Sequence, residues 1–208
     1  MNLGSPHRLL AHPLDGAVVA VLSATTRPLT GREVARLAPE GSQPGISKAL
    51  GRLANEGLVD RQEAGNALLY QLNRDHLAAP AATMLADLRN ALIERLRKEL
   101  ASWELQPLHA SIFGSAARGD ADAGSDIDLL VVRPADLAAD DPRWRGQLDG
   151  LTYSVKRWTG NALSTSELPE ADIPRLADER PPVIDALSAD ATTLVGPDAS
   201  RLFRERAT

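Results

Sequence analysis

Apolar residues early in the chain recur every three or four positions, then every second one. Leu14 to Thr25 sets Val18, Val21 and Leu22 on one face and predicts a first helix. Thr30-Gly-Arg-Glu33 has the spacing of a capping box, in which each end side chain satisfies an orphan backbone amide, and predicts a second helix with Val34 and Leu37 inward. After a turn at Pro39 to Gly41, Ile46, Ala49, Leu50 and Leu53 fall at i, i+3, i+4 and i+7, a third helix that Gly57 would close. Leu58 to Arg61 and Leu68 to Leu72 read as strands about a turn at Ala64-Gly65-Asn66.

From Pro80 to about Glu104, Leu85, Leu88, Leu92, Leu96 and Leu100 keep helical spacing. One helix there would run roughly 35 Å and end before Pro107, as a spacer or a dimer seam. Strands are then predicted at Leu108 to Phe113, Ile127 to Val132, Asn161 to Leu168 and Thr192 to Val195. Helices are predicted at Pro142 to Thr159, Glu170 to Asp178 and Pro182 to Ser188. The expected class is α+β in two domains: residues 1–76, a linker helix over 77–105, and residues 106–208 as a mixed sheet flanked by helices.

Composition narrows the chemistry. The chain has 208 residues, 43% hydrophobic but only 3% aromatic, so Leu, Ala and Val must fill the core. Cysteine is absent, which excludes disulfides, thiolate metal sites and cysteine nucleophiles. No apolar run approaches the ~20 residues of a membrane span, and the first residues lack a signal-peptide stretch, so a cytoplasmic location is expected. The net charge of −5 divides into +1 for residues 1–76 (8 Lys/Arg, 7 Asp/Glu) and −6 for the rest (15 and 21). DNA binding by the first domain would therefore rest on local patches. His7, His12, His76 and His109 show no ligand spacing, and Trp103, Trp144 and Trp158 are expected in a core or interface. Asp178-Glu179-Arg180 reads as a solvated charge run.

The stretch Ile112 to Val132, IFGSAARGDADAGSDIDLLVV, holds the chemistry. Asp126 and Asp128 sit two apart at the head of an apolar strand, a spacing that puts both on one face. Carboxylates that close repel unless a cation lies between them, and hard oxygen ligands select Mg²⁺ or Mn²⁺. Gly114 lets a phosphate approach the backbone, Ser115 adds a hydroxyl, and Arg118 follows one turn on. Asp120 and Asp122 read as solvated loop residues. A calcium loop starting at Asp120 fails, because Val131 stands where a bidentate Glu is needed. Walker and dinucleotide-binding glycine patterns are absent.

Two resemblances follow from these residues. The segment ISKALGRLANEGLVDRQEAGNALLYQLN is similar to the recognition helix and wing of bacterial winged helix-turn-helix regulators, over about a third of the chain. That resemblance implies DNA binding through Ser42, Gln43, Ser47, Lys48 and Arg52, with Arg61 and Asn66 on the wing. Gly114-Ser115, ten residues, then Asp126-Ile127-Asp128 resembles the polymerase-beta-like nucleotidyltransferases, especially the minimal, antitoxin-type members, over roughly residues 106–196. This implies Asp126 and Asp128 as metal ligands and catalytic residues, and Gly114, Ser115 and Arg118 as nucleotide-binding residues. The family adds a third carboxylate from a later strand, for which Glu167 is the candidate; no Asp stands in a clear apolar strand there.

The implied function is Mg²⁺-dependent transfer of a nucleoside monophosphate from an NTP, with ATP expected, to a hydroxyl on a protein acceptor such as a cognate toxin. A fused DNA-binding domain and a homodimer through the linker helix complete it. Two alternatives stay open: a transcription regulator that senses nucleotide without catalysis, and a small-molecule (antibiotic) nucleotidyltransferase.

Overall fold

The computed structural model describes residues 12–118 and 124–203. It divides into two compact units at Ala91 and Leu92.

In the first unit, α1 (Pro13–Ser23) buries Val18, Val19 and Leu22 completely. The two-residue β1 (Leu29–Thr30) leads into α2 (Gly31–Leu37), where Thr30 and Glu33 close the expected capping box. Leu37, expected inward, is 52% exposed, because the chain leaves the helix at once through extended Ala38. In α3 (Gln43–Asn55) Ile46, Ala49, Leu50 and Leu53 form the buried stripe. Gly57 ends it at φ 83, with Gly57 N–H on the Ala54 carbonyl and Leu58 N–H on Leu53, both satisfying orphan carbonyls. The wing is β2 (Val59–Ala64) against β3 (Ala67–Leu72), turning at Gly65 (φ 58) and Asn66. The sheet order β1-β3-β2 on three helices is the winged helix-turn-helix arrangement.

The single helix expected from Pro80 to Glu104 is two helices, α4 (Ala79–Ala86) and α5 (Leu88–Ala101). The two meet at Asp87, whose N–H donates to the Thr83 carbonyl, whose carbonyl accepts from Ala91 N–H, and whose carboxylate takes the Asn90 side-chain amide at 2.6 Å. The leucine stripe splits accordingly. Leu85 and Leu88 are exposed, whereas Leu96 and Leu100 are fully buried in the second unit. Ala79 and Ala82 pack α4 onto the winged-helix core.

The second unit is a four-stranded sheet in the order β6-β5-β4-β7. In chain order it runs β4 (His109–Phe113), α6 (Gly114–Arg118), β5 (Ile127–Arg133), α7 (Pro142–Thr159), β6 (Leu163–Pro169), α8 (Ile173–Glu179), α9 (Pro182–Asp190), β7 (Thr192–Val195) and α10 (Ala199–Leu202). β5 and β6 are parallel, joined through α7; the other pairs are antiparallel. Ile127, Leu129 and Val131 point to one face and pack on α5 and α7. There Trp103 and Trp144 meet edge to face with centroids 5.6 Å apart, and Arg95 lies over Trp158. Leu130 points to the other face, among Ile184, Leu187 and Phe203 from the helices that follow β6.

His109 has a structural role that its sequence position conceals. It is fully buried, with Nδ1 2.9 Å from the Pro197 carbonyl and Nε2 3.0 Å from Ser111 Oγ. That geometry places the ring proton on Nδ1, and burial pushes the pKa below 6.5.

Candidate functional site

The site is built where β4 ends and β5 begins. Phe113, the last residue of β4, pairs with Asp128. The next residue, Gly114, has φ 67, and a Cβ there would stand 2.7 Å from Asp128 Oδ2. Glycine is therefore required twice, for the left-handed backbone and for the approach to the carboxylate. Ser115 follows in α6 and is half-buried.

Asp128 is half-buried as the second residue of β5, and Asp126, one residue ahead of the strand, is exposed. Burial raises the Asp128 pKa, and the neighbouring charge of Asp126 raises it further. The lead-in to the pair is held by the two residues before β6: Asn161 donates to the Ser125 carbonyl at 2.8 Å, and Ile127 N–H donates to Ala162 O at 2.9 Å. The charge of Asp126 opposes ionisation of Asp128, and the oxygen chemistry of the pair fits a hard divalent cation.

Gly114, Ser115 and Asp128 are thus brought together, with Asp126 adjoining. Arg118 ends α6 and lies 3.6 Å from Asp190 at the end of α9, both partly exposed. Asp120 and Asp122 lie outside the described residues.

Glu167 is not brought to this pair. Asp128 pairs with Ser164 and Val131 with Glu167, so strand alternation turns Glu167 to the opposite face of the sheet. There its carboxylate takes Arg133 Nε at 2.8 Å, Arg145 and the Trp144 indole N–H. These contacts tie β6 to β5 and α7. Beside Asp128, β6 offers the exposed side chain of Ser164 instead, with exposed Ser166 two residues along, beside Leu130. Sequence reading passed over both serines, because only the parallel register shows which residues of β6 stand beside Asp128. Among the described residues, no group of three or more His, Cys, Asp or Glu could hold a metal ion.

On the winged helix, Gln43, Ser47 and Lys48 are exposed along α3, and Arg61 and Asn66 along the wing. Ser42 is the α3 N-cap, accepting from Gly45 N–H. Arg52 differs from its expected role. It turns to Asp15, a carboxylate buried in α1, at 2.6 Å, and so braces α3 against α1 rather than facing outward.

The family model described as Nucleotidyltransferase domain matches residues 93–159, about a third of the chain. The second unit carries a nucleotidyltransferase domain. The matched residues of this domain hold Gly114, Ser115, Asp126 and Asp128 and stop before β6, so Glu167 and Ser164 fall outside them. No curated protein matches the chain. Among solved structures, the reduced form of the transcriptional regulator YodB from B. subtilis is 21% identical, covering 45% of this chain and 89% of its own, with a TM-score of 0.34. A toxin-antitoxin MntA-HpeT mutant is 19% identical, covering 53% of this chain and 79% of its own, with a TM-score of 0.37. No helix among the described residues is long and apolar enough to cross a membrane.

Proposed function

We propose that the nucleotidyltransferase domain binds a nucleoside triphosphate, ATP by preference, together with Mg²⁺ or Mn²⁺, and transfers its nucleoside monophosphate to a hydroxyl. The observation that supports this reading best is the approach of the Gly114 backbone to Asp128 beside Asp126, which sets a phosphate-accessible turn against a carboxylate pair. Asp126 and Asp128 would hold the cation, which when bound neutralises charge on the phosphate undergoing displacement. Gly114 and Ser115 would receive the phosphates, with Arg118 as a further cationic contact. The acceptor we propose is a hydroxyl on a protein partner, such as a cognate toxin, in keeping with the resemblance of Phe113 to Val132 to antitoxin-type members.

The first unit would read DNA in the cytoplasm through Gln43, Ser47, Lys48 and Arg61, with Ser42 capping the helix that enters the groove. Exposed Met84, Leu85 and Leu88 would form the homodimer seam.

A second reading, a nucleotide-sensing regulator without transfer, is favoured by one observation: β6 places a serine, Ser164, beside Asp128 where a third carboxylate would be needed. Incubation with labelled ATP and Mg²⁺ in a lysate separates the two. A labelled protein band that disappears in Asp128→Asn supports transfer. Metal-dependent ATP binding without label supports sensing, and absence of ATP binding refutes both.

A further inference from the structure

Asp128 has a neighbour on each side within the sheet. Toward β4 it meets Phe113 and the Gly114 backbone; toward β6 it pairs with Ser164. Residues in register on adjacent parallel strands lie about 5 Å apart and point to the same face. The hydroxyl of Ser164, an exposed residue, therefore stands on the floor of the site, on the side of Asp128 away from the phosphate turn. Thr165 and Glu167 belong to the other face, and Ser166 lies one step further along, beside Leu130.

We propose that Ser164 is a positioning residue of this site, whose neutral hydroxyl beside Asp128 makes metal capture depend on the triphosphate. The proposal rests on the reading of Asp126 and Asp128 as the cation ligands. A hard cation seeks about six oxygen ligands, and a free ion binds in proportion to the charge it meets. Two carboxylates and a hydroxyl meet neither demand. The triphosphate supplies the missing oxygens and charge, so metal and nucleotide enter with strong positive coupling, each raising the affinity for the other. A carboxylate at position 164 would relieve that dependence, because the protein alone would then present three charges to the ion. The same position gives the hydroxyl a second task once nucleotide is present, that of donating to a phosphate or acceptor oxygen above Asp128.

Titration calorimetry of the full chain with Mn²⁺ alone, and with Mn²⁺ plus a non-hydrolysable ATP analogue, tests this. The wild type takes up Mn²⁺ weakly alone and tightly with the analogue. Ser164→Asp binds Mn²⁺ alone about tenfold tighter or more, the scale that one unit charge ~5 Å from a divalent ion gives even in water. Its melting temperature falls without metal and recovers with Mn²⁺, a recovery that a merely structural change would not show. Ser164→Ala leaves Mn²⁺ binding alone unchanged and weakens analogue binding several-fold. Ser166→Asp, displaced along the strand, changes Mn²⁺ affinity clearly less. If Ser164→Asp and Ser166→Asp act alike, or Ser164→Asp leaves Mn²⁺ affinity unaltered while the analogue still binds through Asp128, the inference is overturned and the proposed function stands. If neither wild type nor variants bind the metal–analogue pair, the underlying reading of the site fails first.

Discussion

Replacing Gly114 by alanine strikes the site and the fold at one atom. The backbone term comes from φ 67, a left-handed conformation that disfavours an L-residue by about 1–2 kcal/mol. The contact term comes from Asp128 Oδ2, which at 2.7 Å must retreat by about 0.7 Å to reach the 3.4 Å where ordinary contacts begin. Pushing the side chain off its rotamer costs about 0.5–1.5 kcal/mol more, for a sum of about 1.5–3.5 kcal/mol. Gly160 supplies the control: it ends α7 at φ 81 with nothing within 4 Å of an added Cβ, so Gly160→Ala bears the backbone term alone. All three tryptophans lie in the second unit, so their fluorescence during urea unfolding reports that unit by itself. Mg²⁺–ATP at 100-fold its dissociation constant should stabilise wild type and Gly160→Ala by about 2.7 kcal/mol. Gly114→Ala should be the less stable variant and should lose that gain, because its displaced carboxylate no longer meets the cation. If Gly114→Ala retained the full ligand gain, or proved no less stable than Gly160→Ala, the account of the turn would be wrong.

Other outcomes follow from the same geometry. Asp128→Asn should abolish metal-dependent ATP stabilisation yet leave the metal-free protein as stable or more so at pH 7. Its carboxyl pKa is raised in the fold, so ionisation above that pKa opposes folding and the amide removes the opposition; a clear loss of metal-free stability would contradict this. His109 is held neutral, so stability of the second unit should be full above pH 6.5 and decline as pH falls from there toward the lowered folded pKa, where the unfolded chain takes up a proton that the fold resists. Tryptophan-monitored melts over that range, compared with His109→Asn, measure the effect, and a matching slope in both proteins refutes it. Arg52→Ala should destabilise the first unit by about 2 kcal/mol by stranding buried Asp15, as circular dichroism would show. Lys48→Ala and Arg61→Ala should leave stability unchanged while weakening DNA binding and its salt dependence; unaltered binding in both would argue against that face.

Much of this architecture could be read from the chain because local physics dictates it. The capping box at Thr30, the stripe from Ile46 to Leu53 and the left-handed Gly57 each act within one turn of helix. The Gly114-Ser115 and Asp126-x-Asp128 elements were legible for the same reason, since strand alternation and turn chemistry are short-range rules. What escaped depends on partners distant in sequence. Glu167 has the composition of a third ligand, but its face is set by the register of β6 on β5. Arg52 looks like an outward cation until Asp15, 37 residues earlier, turns it inward. The break at Asp87 is one residue wide and helical backbone bonds run through it, Asp87 N–H to Thr83 and Ala91 N–H to Asp87, so the leucine repeat does not announce it.

The β4–β5 pairing has a consequence for how the chain matures. Phe113 and Asp128 are separated by only residues 114–127, so their pairing closes a short stretch of chain at small entropic cost, whereas β6 joins β5 only after the whole of α7 has been made. During synthesis β5 therefore has a partner on one side while its other edge, Ile-Asp-Leu-Leu-Val-Val-Arg, stays open. A nearly continuous apolar edge is a template for pairing with another chain. Asp128 sets a carboxylate within that edge, and charged residues on an open strand edge oppose pairing with another chain.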